Sequence, residues 1–440
     1  LIVTHGNGLA TTAGYDLDYR LTSLLLQDGG TSISSLSYTY TDGMNLTAVN
    51  DNVVPANSAS LSYSAANRLS TANGAWGNAS FGYDGVGNRL SDVNTVSSVT
   101  TTRLAAYDTV SNRITGMTEN SAALRDYTHD AAGNILTDTR PGEVFAFTYN
   151  ARNRPASVTR NAVAYATYGY NALEQLVSRA TSAAGGPAGI VHYIHDLDGH
   201  IIAEADSTTG ATAREYIWMA PKPAPGLDPG DNEPTDLPLA VVDDVTTTPV
   251  LLMVHTDHLG RPIRMTDGAK ATVWAATYKP WGEPLSISGT KALNLRFPGQ
   301  YFQIETALAY NWHRHYDTTT RRYTQPDPLG FVDGPSVYAY AGNSPAMRVD
   351  KLGLAKSPDQ FPHSPIPPSG DGQGSGTEGG SQVCDAGGGS GNGGSGVFCH
   401  RIDGASIDGI ICLYQCPNGD IVKGHSSLGY CPKMLLRRCS

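Results

Sequence analysis

The chain has 440 residues with only 16% charged side chains, 49 Gly, 23 Tyr and a formal net charge of −10 at pH 7. That balance argues against broad nucleic-acid binding by the whole chain, although it says little about local patches. No run of about eighteen apolar residues exists, so no membrane-spanning helix is expected.

The length accommodates two or three domains, or one large β structure with appendages. Abundant Tyr, Thr, Ser and Gly, with few long helical periods, favour short strands joined by tight turns. Leu1-Ile-Val-Thr-His-Gly lacks the basic and apolar regions of a signal peptide, and it has no starting Met. The sequence therefore reads as the later part of something longer.

From Tyr15 to about residue 200 a loose unit recurs: an aromatic or His, an Asp or Asn, two or three small residues, a Gly or Asn, then a polar residue and an aliphatic. The clearest copy is Tyr83-Asp-Gly-Val-Gly-Asn-Arg-Leu90, and others begin at Tyr15, Tyr63, Tyr107, His129, Tyr149 and His195. Anchors fall about 20 to 25 residues apart, the spacing of stacked repeats. Each copy predicts a β-hairpin: a strand ends at the aromatic, the Asp and Gly or Asn reverse the chain, and the aliphatic begins the return strand. One hairpin buries too little to stand alone, so neighbours must pair edge to edge into a long sheet.

Pro221 to Pro238 is too rich in Pro and Gly for a central strand and is expected to be an exposed insertion (221–238). Strand patterns resume at Leu251 to Ile263 and at Val273 to Glu283. Within the first, His255, Asp257 and His258 have metal-ligand chemistry, but a hairpin turn needs the same polar groups, and the turn is the expected reading.

Spacing becomes strict between Arg296 and Leu354. The segment reads Arg296-Phe-Pro-Gly-Gln-Tyr301, Arg314-His-Tyr-Asp317, Arg322-Tyr-Thr-Gln-Pro-Asp-Pro-Leu-Gly330, Ser336-Val-Tyr-Ala-Tyr-Ala-Gly-Asn-Ser-Pro345 and Val349-Asp-Lys-Leu-Gly-Leu354. This ordered series resembles the core of Rhs (rearrangement hotspot) and YD-repeat proteins, and the upstream units resemble YD repeats. The resemblance implies an all-β fold, with hairpins in a long spiralling sheet that forms part of a hollow β-shell closed by the core. It divides the chain into a repeat segment (1–290), the core (291–354), a Pro/Gly/Ser-rich linker (355–396) and a small Cys-rich variable region (397–440).

The resemblance also implies self-cleavage after the final Leu, between Leu354 and Ala355, by two aspartates with an arginine nearby. By motif position these are Asp327, Asp350 and Arg314. Two carboxylates held close share a proton, so one acts as base and the other as acid, and their titration belongs to the pair. Arg314 suits orientation of a carboxylate or stabilisation of the oxyanion. The same aspartates also fit ordinary turn chemistry, since a short carboxylate accepts nearby backbone N–H groups. The sequence departs from the family at Lys351, where Pro usually follows the second aspartate, and a cation there is expected to favour the ionised form of Asp350.

All six cysteines, Cys384, Cys399, Cys412, Cys416, Cys431 and Cys439, lie in the last part of the chain. Such crowding in so short a piece suggests disulfides and an oxidising compartment, with fifteen connectivities open. A zinc site using Cys412, Cys416 and His400 or His425 is the rival. Nuclease chemistry from His400, Asp403, Asp408, Asp420, Lys423 and His425 is a further reading of this region, with nucleic acid then its target. Neither a cofactor nor a resident metal is otherwise expected.

Two functional expectations follow. One is a secreted or surface-delivered Rhs-type effector that encloses its own C-terminal region as cargo, releases it after Leu354, and works with an immunity protein and a secretion apparatus. The other is a non-catalytic YD-repeat wall protein of the cell surface, in which the core only closes the sheet.

Overall fold

The computed structural model describes residues 2–219 and 237–358, and beyond them four short strands between residues 396 and 438. Two compact units result, Leu1–Ile366 and Pro367–Ser440. In the first, twenty-five strands from β1 (Ile2–Thr4) to β25 (Pro284–Gly289) form one sheet, each strand antiparallel to the next in sequence. β1 and β25 do not pair, so the sheet stays open rather than closing into a barrel. Among the described residues there is no α-helix, and no helix is long and apolar enough to cross a membrane.

The recurring unit explains this regularity. Between β8 (Gly77–Tyr83) and β9 (Arg89–Val96), Asp84 Oδ1 accepts the Asn88 backbone N–H at 2.8 Å and Oδ2 accepts Asn88 Nδ2 at 2.9 Å. Gly87 closes the turn at φ +94°, a conformation that costs Gly little. The same side-chain reversal recurs at Asp130, Asn150, Asn171, Asp196 and Asp257.

The aromatic has a separate task. The ladder slips by one residue at Tyr83, a bulge that turns its ring towards the neighbouring hairpin, and its hydroxyl donates to the Leu69 carbonyl at 2.7 Å. Tyr107 donates likewise to Arg89 O, Tyr149 to Ile135 O, and Tyr278 to Pro262 O. In these copies the residue that marks the repeat in the sequence also hydrogen-bonds it to an earlier hairpin, whereas the Tyr63 and Tyr170 hydroxyls have no such bond. Tyr40 to Leu46 and Tyr170 to Leu176 carry the same bulge and turn and are further copies.

One face of the sheet is buried. Phe147, Val158, Tyr168, Leu176 and Tyr193 pack against Leu295, Tyr301, Leu308 and Tyr310 of the core segment. Leu36, Leu61, Leu69 and Phe81 pack with Trp281 and Ala346. Removing this much apolar surface from water is the main favourable term available to the fold. The first and last parts of the sheet also meet, but through side chains. Asn7 Nδ2 donates to Thr266 Oγ1 at 3.0 Å and to Asp267 O at 2.8 Å, and the rings of His5 and His255 lie 4.5 Å apart.

The core segment adds a four-stranded antiparallel sheet: β26 (Tyr301–Gln303), β27 (Leu308–Asn311), β28 (Arg314–Asp317) and β29 (Arg322–Tyr323). A two-stranded ladder then joins β30 (Arg348–Val349) to β31 (Ser357–Pro358), so pairing continues past the point where a linker was expected to begin. The expected insertion is also shorter at its end. Leu237 is buried, and Pro238 opens β21 (Pro238–Asp243), the strand-start position that tolerates a missing N–H. Residues 220–236, the rest of that insertion, lie outside the described residues.

In the second unit β32 (Gly396–Arg401), β33 (Ile411–Gln415), β34 (Ile421–His425) and β35 (Met434–Arg438) form an antiparallel sheet in the order β34-β33-β32-β35. The disulfide, zinc and nuclease expectations rest on side chains outside the described residues. Cys384, Cys416, Cys431 and Cys439 lie wholly there, and only the backbones of Cys399 and Cys412 are placed.

Candidate active site

Three core elements bring the predicted residues together. Arg314 opens β28, Asp327 lies in the loop that follows β29, and Asp350 directly follows β30. Arg314 Nη2 lies 3.0 Å from Asp327 Oδ2 and 3.0 Å from Asp350 Oδ2, so a single guanidinium nitrogen bridges both carboxylates. All three side chains are buried, Arg314 and Asp350 to 1% exposure and Asp327 to 8%.

Backbone geometry fixes each carboxylate separately. Asp327 donates its N–H to Val337 O at 2.8 Å and accepts Leu329 N–H on Oδ1 at 2.8 Å. Asp350 Oδ1 accepts the Leu354 N–H at 2.9 Å, which holds the residue at the expected cleavage point against the dyad. Arg314 Nε donates to Gly353 O at 2.6 Å. Gly353 itself has φ +68°, and a Cβ there would lie 2.3 Å from Asn311 O, so no other residue fits this approach without movement.

Burial raises both carboxyl pKa values, because water can no longer solvate the charge. Asp327 is pushed up to about 6, against the opposing pull of Arg314 and the Leu329 N–H, with Asp350 adding repulsion. Asp350 is also raised by burial, opposed by Arg314, by the Tyr323 hydroxyl and by the Leu354 N–H. The expectation that Lys351 would favour ionised Asp350 is therefore outweighed, since desolvation is the larger effect.

Two residues not singled out by sequence complete the site. Tyr323 donates its hydroxyl to Asp350 Oδ2 at 2.7 Å, and its ring lies 3.7 Å from the Arg314 guanidinium carbon. Asn311 Nδ2 donates both to the Tyr323 hydroxyl and to Asp350 O, each at 2.8 Å. Their signal was present only as a Tyr in the Arg322-Tyr motif, and nothing local marks Asn311.

The other polar groups are structural. Asp257 caps its hairpin turn and pairs with Arg261 at 2.7 Å, while His255 contacts Thr266 Oγ1 and His258 contacts Ala346 O, both at 2.9 Å. Among the described residues, Asp196, Asp198 and His200 have metal-ligating atoms within 4.8 Å of one another. Asp196, however, uses both oxygens within its own turn, accepting the Asp198 and His200 backbone N–H groups and contacting His200 Nδ1. The turns at Asp84 and Asp130 are capped in the same way.

The fold and the site define a protein built of hairpin repeats, with a core that buries an arginine-bridged aspartate pair. Residues 254–286 match the model of the family described as RHS protein. The chain is 27% identical over 324 residues to double-stranded DNA deaminase toxin A of Burkholderia cenocepacia, covering 63% of this chain and 22% of that protein. It is 39% identical over 100 residues to toxin protein Tse5 of Pseudomonas aeruginosa, covering 23% of this chain and 8% of that one. The crystal structure of TcdB2-TccC3 shares the fold at 17% identity and a TM-score of 0.63, over 80% of this chain and 19% of that one. Over residues 254–286 the chain is thus similar to the RHS family, and over longer stretches to these toxins. It spans less than a quarter of each of these three proteins.

Proposed function

We propose that this chain is the shell and release segment of a secreted or delivered toxin: the repeat sheet encloses a C-terminal cargo, and the core cuts the chain between Leu354 and Ala355. The observation that carries the proposal is the Arg314 nitrogen shared by Asp327 and Asp350, with Asp350 also bonded to the N–H of Leu354. In such a site one carboxylate takes a proton from water as its oxygen attacks the Leu354 carbonyl carbon. The other carboxyl protonates the carbonyl oxygen, and collapse of the resulting diol breaks the C–N bond, leaving an acid at Leu354 and an amine at Ala355. The bond is held in the same chain, which gives the reaction a high effective concentration. The toxin role rests on relatives named as toxins. An immunity protein and a secretion apparatus belong to the same proposal.

A competing reading is favoured by one feature: Arg314 is already ion-paired with both carboxylates, as a buried ionic group that only closes the core would be. Intact mass separates the two. The parent chain is expected to yield fragments 1–354 and 355–440 without added protease, and Asp327→Asn and Asp350→Asn to remain whole. One uncut mass from all three would leave the closing role alone.

A further inference from the structure

Four donors converge on the two carboxylates, and they are unevenly shared. Asp350 receives Arg314, the Tyr323 hydroxyl and the Leu354 N–H, whereas Asp327 receives Arg314 and the Leu329 N–H. Donors to a carboxylate stabilise its charged form. We infer that Tyr323, oriented by Asn311, is a positioning residue that holds Asp350 as the ionised member of the pair and leaves Asp327 to carry the shared proton. This assignment rests on the proteolytic reading and gives it its roles: Asp350 is the base that receives the proton from water, and Asp327 is the acid that gives one to the carbonyl oxygen.

The geometry ties these roles together. The Tyr323 ring lies against the guanidinium while its hydroxyl donates to the carboxylate that the same guanidinium contacts, so one side chain sets the relative placement of both charges. Asn311 uses one amide nitrogen to hold the Tyr323 oxygen and the Asp350 carbonyl. Donation from Asn311 occupies an acceptor site on that oxygen and directs its O–H towards Asp350. Other charged or titratable groups facing Asp350 are Arg314, Asp327, Asp333 and Tyr340. None of these donates to Oδ2 except Arg314.

The test is a carboxyl 13C NMR titration of Asp350 in the full chain carrying Asp327→Asn, with and without Tyr323→Phe. The Asp327→Asn background removes the second titrating partner and keeps the chain whole, so the measurement does not depend on cleavage. Phe keeps the ring against Arg314 and removes only the donor. The Asp350 midpoint is expected to rise by about one pH unit, and in the chain with native Asp327 the acid limb of the cleavage rate should shift upward by a similar amount. Asn311→Leu should shift the midpoint in the same direction, and the double variant no further than Tyr323→Phe alone. If Tyr323→Phe lowers the melting temperature but leaves the midpoint in place, the residue is only structural and the assignment is overturned. Should Tyr323→Phe not fold, an unmoved midpoint in Asn311→Leu overturns it instead. A parent chain that is never cut would defeat the proteolytic reading, while the Asp350 midpoint would still report on the Tyr323 contact.

Discussion

The repeat sheet and the core solve the same problem of stability by opposite means. In the sheet the bonds that hold one hairpin to the next reach a single repeat back, as from Tyr107 to Arg89, and the arrangement recurs at Tyr40, Tyr83, Tyr149 and Tyr278. In the core the decisive contacts join distant parts of the chain: Arg125 to Asp317, Arg322 to Asn88 and Tyr338 to Gly133. The sheet buries its few interior charges, such as Arg125 and Asp138, at scattered places, whereas the core gathers Arg314, Asp327 and Asp350 into one buried group. A repetitive structure spreads its stability over near-equivalent units, so the loss of one bond is local. A buried ionic group has no substitute, so the loss of one partner leaves uncompensated charge.

The largest effect expected from this contrast is that of Arg314→Met. It strands two buried carboxylates and should cost about 3 to 5 kcal/mol at pH 7, read by denaturant unfolding. The loss should shrink towards pH 4 as the carboxyls take up protons. A loss that does not change with pH would break the comparison, because packing rather than charge would then be responsible.

A second test uses the opposite sign of pH dependence in the two regions. Burial pushes His255 down to about 3, so its contribution is complete above the usual histidine range and is lost as pH falls through it. By pH 5 that loss amounts to about 2 kcal/mol. Asp327, raised to about 6, behaves in reverse: its buried charge destabilises the fold above pH 6, and about 1.4 kcal/mol is regained by pH 5. His255→Gln should therefore flatten the acid side of the stability curve, and Asp327→Asn should remove the opposing gain. Melting temperatures of the three chains at pH 5 and pH 7 would show it.

The smallest effect is expected in the sheet. Tyr107→Phe removes one hydrogen bond between hairpins, leaves the ring in place, and should cost about 1 kcal/mol. A much larger loss would mean that the repeats do not act as near-independent units.

Much of the fold was legible because its rules are local. Aromatic, Asp and Gly or Asn at fixed spacing specify a capped turn, and copies such as Tyr83 to Leu90 needed no distant information. The copies at Tyr40 and Tyr170 are less legible because Met44 and Glu174, both with positive φ, occupy the turn position that Gly or Asn fills in most copies. The candidate site was legible in part. Asp327, Asp350 and Arg314 were named through motif resemblance, and the structure brings them onto one nitrogen. Tyr323 and Asn311 were not named, because a hydrogen bond across two strands leaves no spacing rule in the chain. The cation at Lys351 can be read from sequence, whereas the burial of Asp350 to 1% exposure, which raises its pKa, cannot.

By itself, then, the sequence determined the hairpins, their order and the turn chemistry, since each depends on residues a few positions apart. Only the tertiary structure decided which groups of the core meet, that the two ends of the sheet touch through side chains without pairing, and that both carboxyls are raised. Those outcomes depend on removing water from groups far apart in the chain, and desolvation belongs to the folded whole rather than to any segment of it.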